Sequence, residues 1–110
     1  MARLGRAIVR VPRRINKGQA FKVQMVITHP METGLRKDKK TGKTIPAHYI
    51  TKVDFLFNDK KVTTLHTGPG ISKNPYFAIM LKANESGTLL IRYEDNKGGK
   101  WEKSVKVNVS

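Results

Sequence analysis

"FKVQMVITHP", residues 21–30, alternates strictly: Phe21, Val23, Met25 and Ile27 are separated by Lys22, Gln24, Val26 and Thr28. A period of two is that of a strand with one buried face, because successive side chains point to opposite sides of a pleated backbone. Pro30 has no N–H to give to a ladder, and it keeps His29 extended, so the strand ends there. The same period recurs on both sides. Ala7, Val9 and Val11 alternate with Arg6, Ile8 and Arg10 up to Pro12, and Val53, Phe55 and Phe57 alternate with Lys52, Asp54 and Leu56. Asn58-Asp59-Lys60-Lys61 turns the chain into a strand at Val62–His66, and Gly68-Pro69-Gly70 breaks it again. Further strands are expected at Tyr76–Ala83, Gly87–Asp95 and Lys100–Val109, the last two joined by Asn96-Lys97-Gly98-Gly99 as a hairpin.

About seven short strands with turn chemistry between them, and no helical period, predict an all-β fold, an antiparallel immunoglobulin-like β-sandwich. "ESGTLLIRY", residues 85–93, has the acidic-x-Gly spacing of that fold's corner, with Leu89 and Ile91 where the corner tyrosine and second cysteine would stand. At 110 residues the chain is read as a single domain, 1–110, long enough for one core. The only clear loop is residues 34–46, "GLRKDKKTGKTIP", dense in lysine and closed by Pro46.

Composition excludes several chemistries. With no cysteine there is no disulfide, thiolate metal site or thiol nucleophile. "TGKT" at 41–44 lacks the upstream glycine of a phosphate-binding loop, since Lys37 stands there, and Ile45-Pro46 follows instead of a helix. His29, His48 and His66 have no metal-ligand spacing and read as surface or turn histidines. The eight acids are scattered, and adjacent Glu94 and Asp95 point to opposite faces of a strand. No catalytic residue, metal site or cofactor is therefore expected.

Twenty-two Lys and Arg against eight Asp and Glu give a formal charge of +14, a field that favours an anionic partner. The rival reading is a basic nucleic-acid-binding β domain, served by Arg36, Lys37, Lys39 and Lys40. It lacks aromatic residues interleaved with the basic ones, and it has no helix for a major groove. No stretch nears the roughly 18 apolar residues of a membrane span, and the N-terminus has no uninterrupted apolar export signal.

Apolar residues on the wrong phase are more informative. Both faces of Tyr76–Leu81 are apolar, and Val26, Leu56 and Leu90 point away from their strands' cores. Such a group on sheet faces suggests a protein–protein surface. Met31, between a strand-stopping Pro30 and a freely turning Gly34, reads as a flexible apolar knob for another protein.

"HPMETGLRKDKKTGKTIPAHYI" at 29–50, "NPYFAI" at 74–79 and "ESGTLLIRYEDNKG" at 85–98 resemble the SoxZ family, the Z subunits of the SoxYZ sulfur carrier of bacterial thiosulfate oxidation. The resemblance spans nearly the whole chain. It implies a non-catalytic subunit with an immunoglobulin-like sandwich, pairing as a heterodimer with a SoxY-like subunit whose C-terminal Gly-Gly-Cys-Gly-Gly arm carries the sulfur. It implies export to the periplasm together with that partner, and contact with other Sox proteins through the complex. The residues expected at the partner surface are Val26, Met31, Glu32, Tyr76, Ala78 and Met80. An isolated chain that leaves such residues uncovered has the means to self-associate. The lysine-rich 36–43 loop is more basic than the resemblance leads one to expect.

Overall fold

The computed structural model describes residues 4–68 and 74–110, in which seven strands and no helix form. They are β1 (Ala7–Arg10), β2 (Ala20–Ile27), β3 (Ile50–Phe57), β4 (Lys60–His66), β5 (Tyr76–Lys82), β6 (Gly87–Asp95) and β7 (Lys100–Val107). All pairings are antiparallel, in a three-stranded sheet ordered β1-β2-β5 and a four-stranded sheet ordered β4-β3-β6-β7. The immunoglobulin-like sandwich expected from the alternation is the fold. Of the expected Gly68–Pro69–Gly70 break, Pro69 and Gly70 lie outside the described residues.

The core follows the inward phase of each strand. Phe21, Val23, Met25 and Ile27 of β2 meet Val53 and Phe55 of β3 and Leu89, Ile91 and Tyr93 of β6, all buried in one cluster. Full burial of each large aliphatic or aromatic side chain contributes about 1.5–3 kcal/mol, which makes this cluster the main stabilising element. Leu89 and Ile91 are fully buried, so the two corner positions are filled by aliphatic packing.

Turn chemistry fixes the hairpins. Asn58 and Asp59 both have positive φ (48° and 69°), the conformation of a two-residue type I′ turn, and so β4 begins at Lys60, earlier than the apolar pattern suggests. Asp95 Oδ1 accepts the N–H groups of Lys97 (3.0 Å) and Gly99 (2.7 Å), closing the β6–β7 turn around Gly98 at φ 84°. The basic loop is itself a small hairpin. A Lys37–Thr44 bridge closes it, and Asp38 Oδ1 accepts the Lys40 N–H at 2.8 Å.

Candidate partner interface

The two sheets present very different outer faces. On the four-stranded sheet, registered pairing places Lys52, Glu94 and Lys100 in one row and Asp54, Arg92 and Glu102 in the next. Signs alternate along and between rows, with Lys52–Asp54 at 3.5 Å and Arg92–Glu102 at 3.5 Å. Arg92–Glu102 is an exposed pair, which adds little stability, and Lys52–Asp54 is half-buried; together the rows make a hydrated, self-compensated face. Leu56 and Leu90, read from sequence as outward, stand opposite one another on this sheet and are each half-buried.

The three-stranded sheet has neither feature. Ile8, Val26 and Tyr76 form one row across β1, β2 and β5, with exposures of 58%, 39% and 55%. Arg10, Gln24 and Ala78 form the next row, and Lys22 stands opposite Met80, which is 60% exposed. A cleft of about 270 Å³ runs between Ile8, Arg10, Gln24, Val26 and Tyr76. None of the three strands contains an Asp or Glu. The acid-free bias reaches further, because the first acid in the chain is Glu32, after seven Lys and Arg. The face is thus an apolar stripe whose only charged neighbours within these strands are cations, a surface that water hydrates poorly and an anionic rim would complement.

Val26, Tyr76, Ala78 and Met80, picked out by strand phase, are brought together on this one face. Met31 and Glu32 are not. Met31 is buried (5% exposed) in the core cluster, and its sulfur accepts the Ile50 N–H at 3.3 Å. Its backbone has φ 51°, which swings the side chain inward, and the reading of Met31 as an outward knob is corrected accordingly. Glu32 pairs its backbone with His48 in both directions (2.7 and 2.9 Å), and its carboxylate binds Arg36 Nε at 3.1 Å. It is bridged to His48 and is not a member of the registered β1-β2-β5 rows.

The histidines also need correction. His29 is 1% exposed and His48 half-buried, and both meet Asp95, so neither is a surface histidine. Asp95 Oδ2 accepts from His29 Nε2 at 3.0 Å and from His48 Nε2 at 2.6 Å, while Oδ1 holds the two turn N–H groups. Asn96 continues the attachment, its Oδ1 accepting the Tyr49 N–H (2.8 Å) and its Nδ2 donating to the Ala47 carbonyl (2.9 Å). A clamp results. It ties the 29–32 segment, residues 47–49 and the β6–β7 turn into one unit.

Three donor atoms of His29, His48 and Asp95 lie within 4.8 Å of one another, the spacing of a metal site. The orientation of His29 opposes that use. Its Nδ1 accepts the Met31 N–H at 3.1 Å, so the ring proton resides on Nε2 and points at the carboxylate. A metal-bound His29 Nε2 would need its proton on Nδ1, facing a backbone donor, whereas ligating histidines place an acceptor there. The arrangement fits hydrogen bonding better than ligation.

Across residues 9–106 the chain matches the family model described as "Sulphur oxidation protein SoxZ". It belongs to the SoxZ family. Among curated proteins, no sequence matches. Among solved structures, the sulfur carrier protein SoxY from Chlorobium limicola f thiosulfatophilum shares the fold, with TM-score 0.64 and 12% identity over 94% of this chain and 78% of that one. A superoxide reductase (neelaredoxin) from Ignicoccus hospitalis gives TM-score 0.74 at 21% identity, covering 94% and 80%. A putative superoxide reductase from Thermotoga maritima gives 0.72 at 19%, covering 94% and 85%. At these identities the likeness is one of fold.

For this SoxZ-family chain the clamp was the part that sequence reasoning missed. Its spacings are long, 19 residues from His29 to His48 and 47 more to Asp95, so no local motif appears. A signal existed all the same. His29 continues the inward phase of β2, and Asp95 that of β6, and polar groups on a buried phase need partners.

The clamp makes stability pH-dependent. Burial, ahead of the opposing pull of Asp95, holds His29 below its ordinary 6.5. For Asp95, burial pushes upward, but the bonds from His29, Gly99, His48 and Lys97 together hold it below 3.8. In both cases the unfolded chain binds protons more readily, so stability rises with pH. The His29 contribution is complete above about pH 6.5 and is lost as pH falls through its folded value; the Asp95 contribution goes the same way below about pH 3.8. Thermal melting should therefore fall from neutral pH to about pH 5, and the slope there should flatten in His29→Gln. An unchanged slope would place the acid sensitivity elsewhere.

Proposed function

We propose that the chain is the non-catalytic subunit of a SoxYZ-type sulfur carrier, and that it binds a SoxY-like subunit through the outer face of β1-β2-β5. Membership of the SoxZ family over residues 9–106 carries this reading. The uncovered stripe of Ile8, Val26, Tyr76 and Met80, in strands that hold no acid, supports the choice of face. The sulfur chemistry belongs to the cysteine arm of the partner, as the family resemblance implies, because this chain has no thiol to carry it. Its own part is to hold a rigid sandwich against the partner and present the arm to other Sox proteins. We place the complex in the periplasm, exported with the partner.

Titration against a SoxY-like subunit tests the reading. A one-to-one complex should form, and association rates should fall as salt rises, since a field of +14 accelerates encounter with an acid-rimmed surface. Thiosulfate turnover should require the partner. Turnover by this chain alone, or a titration with no binding, would defeat the assignment.

A further inference from the structure

The two sheets have four edge strands, β1, β5, β4 and β7. An edge offers unpaired N–H and C=O groups to any other strand, and natural sheets blunt their edges to prevent this. Three of the four are blunted here. β1 is only four residues long, ends on Arg10 and runs into Pro12. β4 opens on Lys60 and Lys61, and its register against β3 shifts between Phe55 and Leu56. β7 carries Lys100, Lys103 and Lys106, with Lys103 on the inward phase of Trp101 and Val105.

β5 is the least protected: Lys82 at its end and Pro75 before it match Arg10 and Pro12 of β1, but it is seven residues long and has neither a register shift nor an inward-pointing charge. Its sequence, Tyr-Phe-Ala-Ile-Met-Leu-Lys, is apolar on both faces until the last residue and contains no proline. Among the described residues its second side is unpaired. The phase of the free groups follows from the register. The Ile27 N–H donates to the Pro75 carbonyl at 3.1 Å, so in the alternation of an antiparallel pair Phe77, Ile79 and Leu81 bond to β2. The N–H and C=O groups of Tyr76, Ala78, Met80 and Lys82 then point to the open edge.

We propose that the β5 edge is a strand-addition site, and that in the isolated chain a second copy occupies it by antiparallel β5–β5 pairing centred on Ile79. That register sets Ala78 opposite Met80 and Tyr76 opposite Lys82 of the other copy, so every edge-facing residue finds an edge-facing partner. No like charges oppose. The single cation of the strand lies against an aromatic ring, a favourable contact. The two sheets join into one of six strands, and the apolar stripes of both copies become continuous. Long-range repulsion between chains of +14 works against the pairing and is screened by salt. The salt response is therefore opposite to that expected for an acidic partner.

Sedimentation equilibrium of the purified chain tests this, at roughly 0.05 M and 0.5 M sodium chloride. A reversible monomer–dimer equilibrium that strengthens with salt is expected. Ala78→Pro removes an N–H that the sheet itself does not use, at an edge where proline is tolerated, and should weaken dimerisation about tenfold or more. Met80→Lys, at an exposed side chain, puts cations on diagonal neighbours across the joint and should do the same; it decides the matter if circular dichroism shows that Ala78→Pro does not fold. A chain that stays monomeric at both salt concentrations overturns the proposal. So does a dimer that weakens with salt, or one that both folded variants retain.

Discussion

Asp95→Ala is expected to destabilise the fold by at least about 3 kcal/mol, the largest effect of any single substitution outside the aliphatic core. The carboxylate accepts four hydrogen bonds, from His29, His48, Lys97 and Gly99. Hydrogen bonds to a charged group contribute about 1.5–3 kcal/mol each, and a donor left buried without a partner loses its hydration as well. His29 is the group most affected. Its Nε2–H faces only this carboxylate, and at 1% exposure water cannot replace the lost acceptor. The turn N–H groups and His48 are less buried and recover part of their loss from solvent. Asn96 keeps its own bonds to residues 47 and 49, so the segment should loosen rather than detach. Urea denaturation measures the change directly. A loss under about 1 kcal/mol would mean that Asn96 and the Met31 packing hold the end of the sandwich without the clamp.

Met80→Glu is expected to have the opposite profile. Met80 is 60% exposed, on the outward phase of β5, so melting of the isolated chain should change little; surface substitutions usually stay within about 0.5 kcal/mol. Binding to a SoxY-like subunit should weaken by about 2 kcal/mol or more, roughly thirtyfold in Kd, because the substitution places a carboxylate in a contact that excludes water. It also puts an acid on a face that holds none, against a partner rim expected to be acidic. A variant that melts normally and binds normally would move the interface off this sheet. The charged rows of Lys52, Glu94, Asp54 and Arg92 would then be the next surface to alter.

The pair of substitutions separates two roles, holding the fold and meeting a partner. "HPMETG" is distinctive enough to carry a family resemblance, and its Met31 suggested an outward contact. In the folded chain that segment works inward, through His29 and the Met31 sulfur, while the face proposed for the partner is built from β1, β2 and β5. The charge pattern agrees with this division. Among charged residues, those before Glu32 are all cations and supply two strands of the apolar face, whereas five of the eight acids, Asp54, Asp59, Glu94, Asp95 and Glu102, lie on the other sheet or in its β3–β4 turn.

Strand phase was legible in the sequence because a pleated backbone allows only two directions. Once Phe21, Val23, Met25 and Ile27 are inside, Val26 is outside, and the same rule puts Met80 and Tyr76 out and Leu89 and Ile91 in. The all-β class, the strand count and the cysteine-free chemistry followed from composition and period alone. Which strands lie side by side did not follow. That Ile8, Val26 and Tyr76 share one row depends on β5 crossing to pair with β2, a choice made by packing between the sheets and not by any local propensity. The same holds for His29, His48 and Asp95. Each is an ordinary residue at the end or margin of a strand, and hydrogen bonds reaching across 47 and 66 positions exist only after the two sheets have closed on one another. Period is a property of the backbone and can be read from the chain; proximity is a property of the closed core, and only the tertiary structure decides it.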